Sequence, residues 1–261
     1  MMKNNISSPW LDDQLVSVIT PAYNAERFLQ ETIQSVLSQT YDQWEMIIVD
    51  DGSTDSTYSL AESWSGKDSR IRVIKCRENG GQARAWNIAI AAAKGRYLAF
   101  LDADDLWEEN KLEEQLAFME ENNYGFTYTM YDWIDENSGS AGKIIDVPES
   151  QSYKDMLKNT AIGALTVVID RSLVDVAEIP EVHLNDSMMW LQIAREGVTA
   201  YGYDKVLAHY RIVTNSFSRN KKRSAVRLWN LYRDQLKIPF FRRAYYFTCY
   251  AFNSIKRYYL K

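Results

Sequence analysis

Four times in its first half the chain runs a short, β-branched apolar stretch into a polar cluster and then into an amphipathic helical stretch. Leu15-Val16-Ser17-Val18-Ile19-Thr20 stops at Pro21, and Trp44-Glu45-Met46-Ile47-Ile48-Val49 ends in Asp50-Asp51-Gly52-Ser53-Thr54-Asp55. Residues 71–75 lead to Asn79-Gly80-Gly81, and Tyr97-Leu98-Ala99-Phe100-Leu101 runs into Asp102-Ala103-Asp104-Asp105. Strand–helix units with short connections predict an α/β fold with a mostly parallel sheet and helices on both faces. Ligands bind such sheets outside the carboxyl ends of the strands, so the polar clusters are expected to share one crevice. Asn24 is expected to cap the first helix, whose apolar face is Leu29, Ile33, Val36 and Leu37. The second half is mixed: strands at 125–131, 163–170 and 206–212, a hairpin turn at 135–140, and helices at 152–159 and 186–196.

Three carboxylates within four residues, Asp102, Asp104 and Asp105, repel one another unless a cation sits among them. Oxygen-only donors suit a divalent cation, Mg²⁺ or Mn²⁺, carrying a nucleotide diphosphate. On that reading Asp104 is the main ligand, and Asp102 meets the ribose or the ion. The alternative is a helix cap, for which one acid suffices. A carboxylate after the second strand suits the imide N–H of a uracil base or a ribose hydroxyl, with Asp51 the choice for the base, or else a plain turn. Gly80 and Gly81 let backbone approach a ligand, and Arg84 suits the diphosphate. Asp186 opens a helix, where capping and chemistry are both open. His183 and His209, the only histidines, are too isolated for a zinc site and are expected to be structural. Neither a G-x-G-x-x-G after the first strand nor a P-loop occurs, which removes the main support for nicotinamide oxidoreductases and P-loop enzymes.

The net charge of −5 hides an asymmetry. Residues 219–261 hold 12 Lys/Arg and one acid, a net of +11, which leaves −16 on residues 1–218. In the tail Phe241, Tyr245, Thr248, Phe252, Ile255 and Tyr259 recur at helical spacing among Arg242, Arg243, Lys256 and Arg257. That pattern fits an anionic membrane surface or a helix packed on the domain. Nucleic acid is not expected as a partner, because the acidic body repels phosphate. Two cysteines form no framework, and no leader or apolar run of spanning length is read, so a cytoplasmic setting is expected, either free or peripheral on the inner face of the cell membrane.

Val16-Ser17-Val18-Ile19-Thr20-Pro21-Ala22-Tyr23-Asn24, Ser38-Gln39-Thr40, Val49-Asp50-Asp51-Gly52-Ser53-Thr54-Asp55 and Phe100-Leu101-Asp102-Ala103-Asp104-Asp105, in this order, resemble family 2 glycosyltransferases of the GT-A fold. The resemblance spans residues 15–220. Ile162 to Arg171 and Tyr210-Arg211 are similar to bacterial polysaccharide enzymes of the teichuronic-acid type. It implies inverting transfer of a sugar from a nucleotide-sugar donor, usually a UDP-sugar, to a hydroxyl of a glycan or lipid-linked acceptor, with a divalent cation. The implied nucleotide-binding residues are Pro21, Tyr23, Asn24, Asp51, Arg84, Asp102 and Ala103, the metal ligands Asp104 and Asp102, and the catalytic base Asp186. Two positions depart from the family pattern: Asn185 replaces the Glu of an acidic pair, and Trp86 stands in place of an arginine. The expected layout is an arm (1–14), a nucleotide-sugar half (15–122), an acceptor half (123–220) and a basic helical tail (221–261). The competing reading is a non-catalytic nucleotide-sugar-binding protein on the same fold. A phosphoacceptor signalling domain does not account for the second half.

Overall fold

The computed structural model describes residues 12–159, 162–182, 184–213 and 221–259. The first half runs β1 (Asp12–Ala22), α1 (Leu29–Leu37), β2 (Trp44–Asp50), α2 (Thr57–Ser65), β3 (Ile71–Lys75), α3 (Gln82–Ala92) and β4 (Gly95–Phe100). Then come β5 (Leu106–Trp107), α4 (Lys111–Asn122), β6 (Phe126–Ile134), β7 (Ser140–Ile145), β8 (Ser150–Gln151) and α5 (Tyr153–Met156). The rest comprises β9 (Val168–Asp170), α6 (Asn185–Arg195), β10 (Ala200–Arg211), α7 (Lys221–Asn230) and α8 (Phe240–Tyr259).

One sheet orders its strands β3-β2-β1-β4-β9-β6-β10-β5, with β7 beside β6 and β8 beside β10. The β1–β4 group is parallel throughout, as the strand–helix alternation requires. β9 runs antiparallel to both β4 and β6, whereas β10 is parallel to β6. All seven residues of β2 are buried, the burial expected of a strand flanked on both sides and covered on both faces. Alternation along β1 divides the core: Val16 and Val18 face α1 and α4, and Ile19 faces α3 and α6.

Several local expectations change: the strand expected at 206–212 begins already at Ala200, and the helix expected at 152–159 spans only Tyr153–Met156. Asn24 does not cap α1; it adopts a left-handed φ of 49°, and its side-chain oxygen accepts from the Thr54 N–H at 2.9 Å, so the helix begins only at Leu29. The strand expected at 163–170 is interrupted. The Gly163 carbonyl accepts from the Thr166 N–H (3.0 Å) and hydroxyl (2.7 Å), closing a 3₁₀ turn at Ala164–Thr166 and leaving β9 three residues long. The first strand also starts earlier than expected, taking in residues 12–14 of the presumed arm; residues 1–11 lie outside the described part.

The tail is helical and packed. After α7 a π-turn at Leu231–Gln235 buries Leu231 and Tyr232, and the Tyr232 hydroxyl donates to the Leu157 carbonyl at 2.6 Å. Among the described residues no helix is long and apolar enough to cross a membrane.

Candidate active site

The carboxyl ends of β1, β2 and β4 adjoin in the sheet, so their loops line one edge, as the strand pattern predicts. Pro21, half-buried, lies in the last residues of β1, and the loop after it carries Tyr23, half exposed; Asn24 is spent on the Thr54 turn. The β2 loop carries Asp51, almost fully buried, whose two carboxylate oxygens accept the N–H groups of Gly80 (2.9 Å) and Gly81 (2.7 Å). Those amides therefore face Asp51, whereas the sequence pattern suggested a ligand. Gly52 is required here: its φ is +73°, and a Cβ would lie 2.6 Å from the Glu78 carbonyl carbon. Arg84, half-buried, lays its side chain across Gly80, where a Cβ would meet Arg84 Cδ at 2.3 Å. The guanidinium thus lies beside the Asp51 loop; the buried Cys76 thiol is pushed up by burial and by Asp51, and Arg84 opposes this.

The acid loop after β4 separates its three carboxylates. Asp102 and Asp104 are half-buried, Ala103 is buried between them, and Asp105 is almost fully buried. Asp105 accepts the Arg211 N–H at 2.8 Å at the end of β10. Asp102 accepts from Gln82 Nε2 at 2.9 Å. Burial, then the charge of Asp104, raises the Asp102 carboxyl to about 7; Gln82 opposes this and Asp186 adds to it. Burial likewise raises Asp104, against the pull of Arg211. Among the described residues no three acid, histidine or cysteine side chains are grouped to hold a metal by themselves. Two partly exposed carboxylates, each shifted towards protonation, nonetheless fit a hard divalent cation whose other positions are water and phosphate oxygen.

Arg211 was noted in the sequence only as part of the resemblance, with no role. Its side chain is fully buried. It donates to the Asp104 carbonyl (2.7 Å), the Glu31 carboxylate (2.9 Å) and the Ser138 hydroxyl (2.9 Å), joining the acid loop, α1 and the β6–β7 turn. Partners this distant in sequence leave no local pattern.

Asp186 sits in the first turn of α6, half-buried, accepting the Ser187 N–H at 2.6 Å, and burial raises its pKa. Its charge adds, as the smallest of the causes, to the upward shift at Asp102. Asn185 is buried. The helix is seated by aromatic packing: the Trp190 ring lies 5.4 Å from Phe100, 5.3 Å from Phe126 and 6.4 Å from Trp86. Trp86 is itself fully buried, so position 86 belongs to the core and does not reach the crevice. His209 lies between Asp132 (Nδ1, 2.6 Å) and Glu108 (Nε2, 3.1 Å), and His183 is outside the described residues.

The family model described as glycosyl transferase family 2 matches residues 17–171, which contain the end of β1, all of β2 to β4 and the acid loop. The chain belongs to glycosyltransferase family 2. This family 2 glycosyltransferase is 44% identical over 244 residues to TuaG, a putative teichuronic acid biosynthesis glycosyltransferase of Bacillus subtilis (strain 168). That match covers 93% of this chain and 97% of the relative. It is 40% identical over 248 residues, 95% of this chain and 96% of the other, to the Escherichia coli UDP-Glc:alpha-D-GlcNAc-diphosphoundecaprenol beta-1,3-glucosyltransferase WfgD. Among solved structures it is similar to S. aureus TarS in complex with UDP-GlcNAc, with a TM-score of 0.68 and 19% identity over 92% of this chain and 71% of that one. It is also similar to the mannosyltransferase PcManGT from Pyrobaculum calidifontis in complex with GDP-Man and Mn²⁺, with a TM-score of 0.66 and 20% identity over 90% and 69%. These two structural likenesses bear on the GT-A fold alone.

Proposed function

We propose that the crevice binds a UDP-sugar and that the enzyme transfers the sugar, with inversion, to a hydroxyl of a glycan or lipid-linked acceptor in bacterial cell-surface polysaccharide synthesis. What supports this is the acid loop after β4, with Asp102 and Asp104 half-buried at the carboxyl edge of the sheet, together with the electrostatic influence of Asp186 of α6 on Asp102. The relatives' names support the choice of substrates: WfgD names a UDP-glucose donor and a diphosphoundecaprenol-linked acceptor.

In the proposed reaction Asp186 takes the proton from the acceptor hydroxyl as that oxygen attacks the anomeric carbon. One carbon–oxygen bond forms while the anomeric bond to the diphosphate breaks, and its electron pair leaves with UDP. Asp102 and Asp104 would hold the divalent cation, Mn²⁺ or Mg²⁺, which supplies charge neutralisation at the leaving diphosphate. Arg84 adds a positive charge for the same group. Asp51 meets the base; its oxygens keep lone pairs beyond those used by Gly80 and Gly81. Pro21 and Tyr23 wall the nucleotide from the β1 side, Asn24 holds that wall through Thr54, and Ala103 leaves room at the acid loop. The setting is cytoplasmic, and a lipid-borne acceptor brings the enzyme to a membrane surface.

Calorimetry with UDP, GDP and CDP, each with Mn²⁺ and with chelator, tests the reading. UDP binding that needs the metal and disappears in Asp104→Ala is expected. Absence of binding to all three, or UDP binding indifferent to chelator and to Asp104→Ala, would overturn it.

A further inference from the structure

The aromatic residues of α8 divide between two faces. Tyr246 and Tyr250 pack on the core, Phe247 meets Trp229 at 5.3 Å between ring centres, and Asn253 Nδ2 donates to the Lys158 carbonyl at 3.0 Å. The helix is therefore anchored to the domain by one side. On the other side Phe241 is 86% exposed, Phe252 65%, Tyr245 58% and Ile255 52%. At 100° per residue these four, with the exposed Thr248, fall within an arc of about 80° opposite Tyr250. Large apolar side chains so aligned form a continuous exposed stripe of the kind that marks an interaction surface.

We propose that this outer face of α8 docks on an anionic phospholipid surface. Charge selects that occupant. The α8 sequence contains Arg242, Arg243, Lys256 and Arg257 and no acid, and residues 219–261 carry a net +11. The one acid of that segment, Asp234, is already paired with Arg233 at 2.6 Å. The four-and-three spacing of the stripe also suits a second copy of the helix, but two such helices would bring like charges together with no acid to pair them. An anionic bilayer meets both properties: the apolar side chains enter the headgroup boundary while the exposed Arg242 meets lipid phosphate; Arg243 instead lies over Trp229 at 4.7 Å. The helix is charged at both ends and not apolar enough to span, so it lies along the surface. Through α7 and the π-turn it adjoins α5 and α6; Ser187 and Trp190 of α6 line a small cavity with Met156, Leu228 and Tyr232. Tyr246 and Tyr250 of α8 thus pack on the same core cluster as Met188, Trp190 and Leu191 of the helix carrying Asp186. The proposal rests on the proposed lipid-linked acceptor only for its biological purpose, and vesicle binding is measured without donor or acceptor.

The test is co-sedimentation of the full chain with vesicles of phosphatidylcholine alone or with about one-third phosphatidylglycerol. Partitioning onto the anionic vesicles should be about tenfold stronger or more, and should weaken as salt is raised. The variant F241S/Y245S/F252S/I255S should lose about tenfold or more of that partitioning with unchanged melting temperature and unchanged UDP binding. Equal partitioning by the variant, or no preference for anionic vesicles, would overturn the proposal. So would a dimer in light scattering that the variant abolishes, which would make the occupant a second copy. Loss of UDP binding in the parent chain would instead count against the donor site and leave the docking result standing.

Discussion

The main-chain N–H of Arg211 donates to the Asp105 carboxylate at 2.8 Å, and its guanidinium donates to the neighbouring Asp104 carbonyl at 2.7 Å. The end of β10 therefore fixes the course of the acid loop from behind. Arg211→Lys keeps the charge but loses the fork that reaches Glu31, Ser138 and Asp104 together. Metal-dependent UDP affinity should fall about 10–100-fold in this variant, the range seen when residues supporting metal ligands are changed. Calorimetry on the folded variant checks it. Unchanged affinity would reduce Arg211 to a purely structural role.

Asp186→Asn removes the proposed proton acceptor and leaves the donor pocket intact. Turnover should fall by about 10²–10⁴-fold with UDP affinity nearly unchanged. Burial raises the Asp186 carboxyl, and the base acts only when ionised, so turnover should decline as pH falls through that raised value. The acid limb of the rate profile should therefore lie above the ordinary carboxylate value of about 4. A limb at the ordinary value would contradict the assignment.

Trp86 packs against Phe100 at 5.3 Å in a T-shaped contact and has no exposed surface. Trp86→Ala should cost about 3–5 kcal/mol in urea unfolding. Trp86→Arg, which installs the residue type implied by the family pattern, should be at least as damaging because it buries an unpaired charge. Wild-type stability in the arginine variant would mean that the position opens to the crevice.

Lys111 is fully buried at the start of α4 and donates to Gln115, and burial lowers its pKa from 10.5 to about 7. Between these values the unfolded chain holds a proton that the folded chain lacks, so this residue's contribution to stability should increase as pH rises from about 7 to about 10. Below the folded value both states are charged, and the penalty is constant and largest. The stability difference between wild type and Lys111→Met, followed by denaturant unfolding across this range, should narrow as pH rises. A flat difference would show that the ammonium is not desolvated.

Much of the donor side was legible in the sequence because its signals are local. The β-branched runs at 15–20 and 44–49 became β1 and β2, and Asp102 and Asp104 emerged at a strand end as their placement after Leu101 implied. The rest depends on contacts across the chain. Nothing near Asp105 reports that Arg211 holds it, and nothing in the alanine-rich run around Trp86 reports that Trp190 and Phe100 enclose it. Asn24 misled because a good capping residue was recruited by Thr54, 30 positions away. The strand read at 163–170 failed at Thr166, where a hydroxyl competed for a carbonyl that an extended strand would have used.

β9 has three residues, yet it is inserted between β4 and β6, and Asp170 at its end pairs with Arg96 of β4 at 2.6 Å. A segment from the later half thus completes the edge of the earlier one. A polypeptide cut after α4 would expose the flank of β4 as an unpaired edge and leave Arg96 without its acid, inviting self-association. The two halves are consequently not interchangeable cassettes: hybrids between related enzymes should exchange surface loops and keep the sheet from a single parent.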